Sequence, residues 1–326
     1  MEATVFRVSR GFTYNYFRVA PSAESPKPYI LFLHGFPSIA LEWQHQIEHF
    51  RKLGFGIIAP DLLGYGESSR PSDVSHYHFK HMSYDVVEIL DHEGVNMVYG
   101  VGHDMGAGLL ARLNFHFPHR FSKLALLATG YLHPGTVFDI ETANALSQKN
   151  LGYALFGYMK FFTEDPDAVE IINSHQDSFT SLIYAKDPAE WTKHLGPIGA
   201  VKRWLLEDKQ AELGPWLTKT YLAARKEAFS KDGGYQAPLN WYRVLVSNLN
   251  LQDEPEDECN TFDLKCPVLL VLAEGDTIAL PSVQLENTQR HAKNLTIKQV
   301  PTGHWLMKEA PDEVNSFLQD FFINEN

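Results

Sequence analysis

The segment Gly102-His103-Asp104-Met105-Gly106 places a carboxylate between small residues suited to a tight turn. It follows the apolar run Met97–Val101 and precedes Leu109, Leu110, Leu113 and Phe117 at helical spacing, a run that Pro118 ends. The pattern predicts strand, sharp turn and helix, with the Asp104 side chain lifted above a sheet. A carboxylate there can cap the helix, or it can attack an electrophilic carbon and form an ester. The second role needs a base, an acid to orient it, and donors for an oxyanion, in the chain order nucleophile, acid, histidine. Ala273-Glu274-Gly275-Asp276 follows the run Val268–Leu272, and Thr302-Gly303-His304-Trp305 follows Leu295–Val300. Both loops fall at strand C-terminal ends, where open α/β sheets gather their sites. His304 is the candidate base. Asp276 is the preferred orienting acid, with Glu274 as the alternative. The first run, Tyr29–Leu33, ends in His34-Gly35-Phe36-Pro37, whose Phe36 N–H can join that of Met105 in an oxyanion hole. His34 is expected to support that loop.

The elements that must position these residues follow from periodicity. Alternating segments Thr4–Ser9 and Thr13–Val19 read as an opening hairpin. Apolar runs at Tyr29–Leu33, Phe55–Ala59, Met97–Val101, Leu124–Ala128, Val268–Leu272 and Leu295–Val300 read as strands buried on both faces, with helices between most of them. This predicts an α/β chain with a mostly parallel sheet flanked by helices. Between about Tyr131 and Leu251 the strand runs stop, and aromatic-rich, helix-like sequence takes over, including Tyr153, Phe156, Phe161, Phe162, Trp191, Trp204 and Trp216. Three segments result: core 1–130, a helical lid 131–251, and core 252–326, the last opening on the acidic stretch Gln252–Glu258. The net charge of -12 over 326 residues opposes a nucleic-acid partner. Cys259 and Cys266 make neither a disulfide framework nor a four-thiolate metal site, which fits a reducing compartment. Residues 1–20 lack the continuous apolar stretch of a secretory signal, no apolar run reaches 18 residues, and the terminal Ile-Asn-Glu-Asn is not a peroxisomal address. The expectation is a cytoplasmic protein with no membrane partner.

Taken together, the residues resemble the epoxide hydrolases of the α/β-hydrolase superfamily over nearly the whole chain. The resemblance rests on His-Gly-Phe-Pro at His34, Asp-Leu-Leu-Gly-Tyr-Gly-Glu-Ser from Asp61, Gly-His-Asp at Asp104 and Gly-His-Trp at His304. In the lid, Pro238-Leu239-Asn240-Trp241-Tyr242-Arg243 resembles the second lid-tyrosine motif, and Phe156-Gly157-Tyr158 falls where the first is expected. The resemblance implies an α/β-hydrolase fold and a pair of acids, Tyr158 and Tyr242, on the epoxide oxygen. It also places His34, Pro37, His103, Trp241 and Trp305 beside the substrate pocket. Chemistry points the same way: a serine opening an epoxide would leave a stable ether, whereas a carboxylate gives an ester that activated water cleaves. The implied partners are a small apolar epoxide and water, and no cofactor enters the cycle.

The chain departs from the family at Met105, where many members carry tryptophan. The same residue separates it from haloalkane dehalogenases, which resemble a pattern with a halide-binding tryptophan there, and from fluoroacetate dehalogenases, which place an arginine. A dehalogenase with the same nucleophile stays an alternative, as does a non-catalytic ligand receptor of the same fold. His45-Gln46-Ile47-Glu48-His49 has an inverted zinc-protease spacing, but a solvated helix burying Trp43, Ile47 and Phe50 accounts for it. His76, His78 and His81 read as surface or pocket-rim residues. Gly100, Gly102 and Gly106 have the wrong spacing for a dinucleotide loop. The natural epoxide, the attacked carbon, enantioselectivity and oligomeric state, a homodimer included, are not legible.

Overall fold

The computed structural model describes residues 2–254 and 262–323. Cys259, most of the acidic stretch 252–258 and the last three residues lie outside that range. Among the described residues one sheet holds eight strands in the order β1-β2-β4-β3-β5-β6-β7-β8. Strands β1 (Glu2–Arg7) and β2 (Thr13–Val19) form the hairpin, and β2 also pairs antiparallel with β4 (Phe55–Pro60). The remaining strands, β3 (Lys27–Leu33), β5 (Val98–His103), β6 (Phe121–Leu127), β7 (Val268–Ala273) and β8 (Leu295–Val300), extend from β4 with parallel pairing. From β3 the chain steps to β4 on one side and then to β5 on the other. Strand order therefore reverses beside β3, which opens a crevice at the C-terminal ends of β3 and β5.

The continuous apolar runs supply both faces of this sheet. Ile30, Phe32, Leu269 and Val271 pack with Trp43, Ile47 and Phe50 near or on α1 (Gln44–Lys52) and with Leu318 of the C-terminal helix Pro311–Ile323. The alternate residues Leu31, Leu33, Val268, Leu270 and Leu272 join the opposite cluster, which takes in α2 (Phe79–His92) and α3 (Met105–His116). Trp43, Ile47 and Phe50 are fully buried, each aliphatic or aromatic side chain contributing about 1.5–3 kcal/mol. This is the amphipathic helix expected over His45–His49; His49 bonds Gln319, and among the described residues no group of three metal-ligating side chains converges. One expectation fails: β8 is an edge strand with Ile297 exposed, so its apolar run is not buried on both faces.

Between β6 and β7 the described residues form eight α-helices: α4 (Ile140–Leu151), α5 (Gly157–Glu164), α6 (Ala168–Ser174), α7 (Gln176–Ile183), α8 (Ala189–His194), α9 (Ala200–Leu206), α10 (Lys219–Phe229) and α11 (Asn240–Val246). Helix α12 (Pro281–Gln289) follows β7, and α13 (Leu306–Glu309) follows β8. The insertion docks on the crevice through aromatic side chains. The Phe36 ring lies 5.3 Å from Phe162 and 4.9 Å from Tyr242, and those two rings are 5.2 Å apart. Among the described residues no helix is long and apolar enough to cross a membrane.

Candidate active site

Asp104 sits between β5 and α3 with φ 51° and ψ -125°, in the left-handed half of backbone space that costs a residue with a Cβ about 1–3 kcal/mol. Glycines make this turn achievable. A Cβ on Gly106 would lie 2.2 Å from the Leu33 carbonyl oxygen, and one on Gly35 would lie 2.4 Å from Asp104 Cβ. The elbow and the loop after β3 therefore touch at backbone distance. Asp104 makes no side-chain cap to α3, which removes the helix-cap reading. Instead the Phe36 N–H donates to Asp104 Oδ1 at 2.8 Å. Met105 is the first residue of α3, so its N–H is one of the donors that a helix leaves unpaired.

The other carboxylate oxygen, Oδ2, is 3.7 Å from His304 Nε2. His304 Nδ1 donates to Asp276 Oδ2 at 2.6 Å, and Asp276 Oδ1 accepts the N–H groups of Ile278 and Ala279, both at 2.9 Å. Glu274 is exposed and takes no part, so Asp276 is the acid against the histidine. Burial opposes ionisation of Asp276, yet the His304 charge and three hydrogen bonds outweigh it and hold the carboxyl below its usual value. Burial likewise opposes a charge on His304. The Asp276 carboxylate, its hydrogen bond, and the charges of Asp104 and Glu42 prevail and push His304 up to about 9. At neutral pH this imidazole rests protonated.

Asp104 and His304 open into a cavity of about 360 Å³ that Phe36, Met105, Tyr158, Tyr242 and Trp305 also line. Tyr158 and Tyr242 come from α5 and α11, 84 positions apart in the numbering, and their rings meet edge to face at 5.8 Å. Burial and then the Asp104 charge raise Tyr158 well above 10; burial, Tyr158 and Asp104 do the same for Tyr242. Both hydroxyls thus stay protonated donors.

Four residues expected at the pocket do not line it. Trp241 precedes Tyr242 on α11, and one helical step of about 100° turns it into the core, where its Nε1 donates to Leu63 O at 2.9 Å. His34 braces the loop through Nδ1 to Gly35 O and by accepting the Leu62 N–H at Nε2. His103 lies behind the site: its Nε2 donates to the His304 carbonyl at 3.0 Å and its Nδ1 is 3.7 Å from buried Glu42. Pro37 contributes its carbonyl, which accepts the Tyr184 hydroxyl and Arg225 Nε, both at 3.0 Å. The sequence reading missed Glu42, Tyr184 and Arg225. No local spacing announces them, since Arg225 reaches Pro37 across 188 positions.

The α/β-hydrolase fold family matches residues 28–311. An epoxide hydrolase of Neurospora crassa is 28% identical over 96% of this chain and 92% of its own. The bifunctional epoxide hydrolase 2 of Sus scrofa is 28% identical over 89% of this chain, which spans 50% of that protein. Among solved structures, a Vigna radiata epoxide hydrolase mutant superposes with a TM-score of 0.79 at 25% identity, covering 98% of both chains. The elbow at Asp104, the order Asp104, Asp276, His304 and the matched family agree: this chain belongs to the α/β-hydrolase fold family.

Proposed function

We propose that this protein is an epoxide hydrolase that forms a vicinal diol through a covalent ester on Asp104. The observation that carries the reading is the two-sided environment of that carboxylate: Oδ1 accepts the Phe36 N–H, while Oδ2 faces His304 in a cavity that two buried tyrosines share. The similarity to proteins named as epoxide hydrolases supports it. Oδ2 attacks one ring carbon, and Tyr158 and Tyr242 hydrogen-bond the oxygen as the C–O bond breaks. Ester formation neutralises Asp104 and so removes one of the charges that raise His304. His304 then releases one proton, and the opened oxygen takes one up.

Now neutral and oriented by Asp276, His304 takes a proton from water as that water adds to the ester carbonyl. The oxyanion forms on Oδ1, where Phe36 already donates and Met105 is the second donor. Collapse expels the diol oxygen, which takes the proton of the added hydroxyl and leaves Asp104 ionised and His304 protonated. The helices of segment 131–251 act as the lid, because they supply both tyrosines and cover the crevice.

His304→Gln tests the two steps separately. With a simple aryl epoxide, intact-protein mass spectrometry is expected to show the variant gaining the mass of one epoxide while diol release stops. An unmodified protein under conditions where substrate binds would contradict the scheme.

A further inference from the structure

The cavity wall contributed by α12 carries two side-chain amides and an exposed valine. Val283, Gln284 and Asn287 line the cavity, and Asn287 stands four positions from Val283 and three from Gln284, so it shares a helical face with each. Val283 is 43% exposed, and Gln284 and Asn287 are partly buried, whereas Tyr158, Tyr242 and Phe162 are buried. This wall is therefore the solvent side of the cavity. The Gly130 N–H donates to Gln284 Oε1 at 2.9 Å, which leaves the amide NH₂ of Gln284 as a donor. Asn287 offers a donor and an acceptor. Gly130 lies so close to α12 that a Cβ there would meet Thr288 Oγ1 at 2.4 Å, so the wall is held against the loop after β6. Among the described residues that line the cavity there is no lysine or arginine, and Asp104 is its carboxylate.

We infer that Gln284 and Asn287 form a subsite for an uncharged hydrogen-bonding group at the cavity mouth. The preferred substrates are then neutral epoxides with an apolar body and a hydroxyl, ester or amide tail, and epoxides with an ionised carboxylate tail are rejected. This rests on the proposed epoxide hydrolysis and adds its substrate class. An ionised tail entering here leaves water for two neutral amides with no lysine or arginine among the described lining residues to pair it, and the one cation among them, His304, is already held between Asp276 and Asp104. A neutral tail keeps its hydrogen bonds by moving from water to two amides.

The test compares three epoxides of equal chain length that end in a primary alcohol, a carboxylate or a methyl group. At pH 8 the alcohol is expected to exceed the carboxylate by about 100-fold in kcat/KM. Asn287→Lys places a cation at this wall and should raise kcat/KM for the carboxylate by about tenfold. Asn287→Leu should reduce the alcohol-to-methyl ratio by about threefold to tenfold. Equal rates for alcohol and carboxylate, or a ratio that Asn287→Leu leaves unmoved, would overturn the subsite. Diol formation from a short alkyl epoxide by the unaltered protein reads the underlying activity separately, because that substrate has no tail to recognise.

Discussion

At the scale of single residues, differing surroundings suit the proposed reacting groups to opposite tasks. Tyr158 and Tyr242 are held protonated by burial and by the Asp104 charge, which suits them to donate to a developing alkoxide. Tyr158→Phe and Tyr242→Phe are each expected to slow ester formation by about tenfold to a thousandfold, the range for one positioned donor. The double variant should lose nearly all of it. Stopped-flow measurement of ester formation checks this, and an unchanged rate in the double variant would favour a leaving group that needs no acid, such as halide. His304 gives a second prediction. Its value of about 9 in the resting protein includes a contribution from the Asp104 charge, which the ester removes. The imidazolium signal in a nuclear magnetic resonance titration should therefore disappear near pH 9, whereas ester decay in single turnovers should reach half its limiting rate at a lower pH. Coincident values would show that Asp104 is not the group neutralised. Asp104, Asp276, His304 and Phe36 were legible because each stands in a short loop after an apolar run. Tyr158 and Tyr242 needed the family resemblance, since nothing in an aromatic-rich insertion distinguishes a donor from a packing ring.

At the scale of elements, strands and motif-bearing turns were legible and long-range clamps were not. β4 and β7 read directly as apolar runs because both of their faces are covered, while the edge strand β8 has the same kind of run with one side in solvent. Adjacency to Tyr242 suggests a pocket position for Trp241, but helical rotation sends it to the core. The clamp on the loop after β3 illustrates what spacing does not reveal. Arg225 of α10 is buried with Nε on Pro37 O, one terminal nitrogen on Thr180 Oγ1 at 2.8 Å and the other on the Tyr235 hydroxyl at 2.7 Å. Through the Pro37 carbonyl it holds the loop that presents Phe36 N–H to Asp104. Arg225→Met is expected to slow both ester formation and ester hydrolysis by about tenfold to a hundredfold, because both steps depend on the placement of Oδ1. Arg225→Lys, which retains a donor but not the fork of three, should recover part of the loss. Half-reaction rates normalised to folded protein make the check, and full rates in folded Arg225→Met would remove the positioning role.

At the scale of the whole molecule, the sheet and the insertion divide the work. The sheet carries Asp104, Asp276 and His304 on loops at strand C-terminal ends, and the helices between β6 and β7 bring the two tyrosines over them. Neither part has the full set of proposed reacting groups, so the proposed chemistry belongs to their junction. The central claim is that Asp104 itself bonds to the substrate, and the oxygen balance of one turnover tests it most directly. Excess protein is mixed with an epoxide in water enriched in oxygen-18 and quenched after a single turnover. The ester is cleaved at its carbonyl carbon, so the added diol oxygen comes from the carboxylate and the solvent oxygen stays on Asp104. Unlabelled diol and a labelled Asp104 peptide are the expected result; labelled diol with an unlabelled peptide would contradict it.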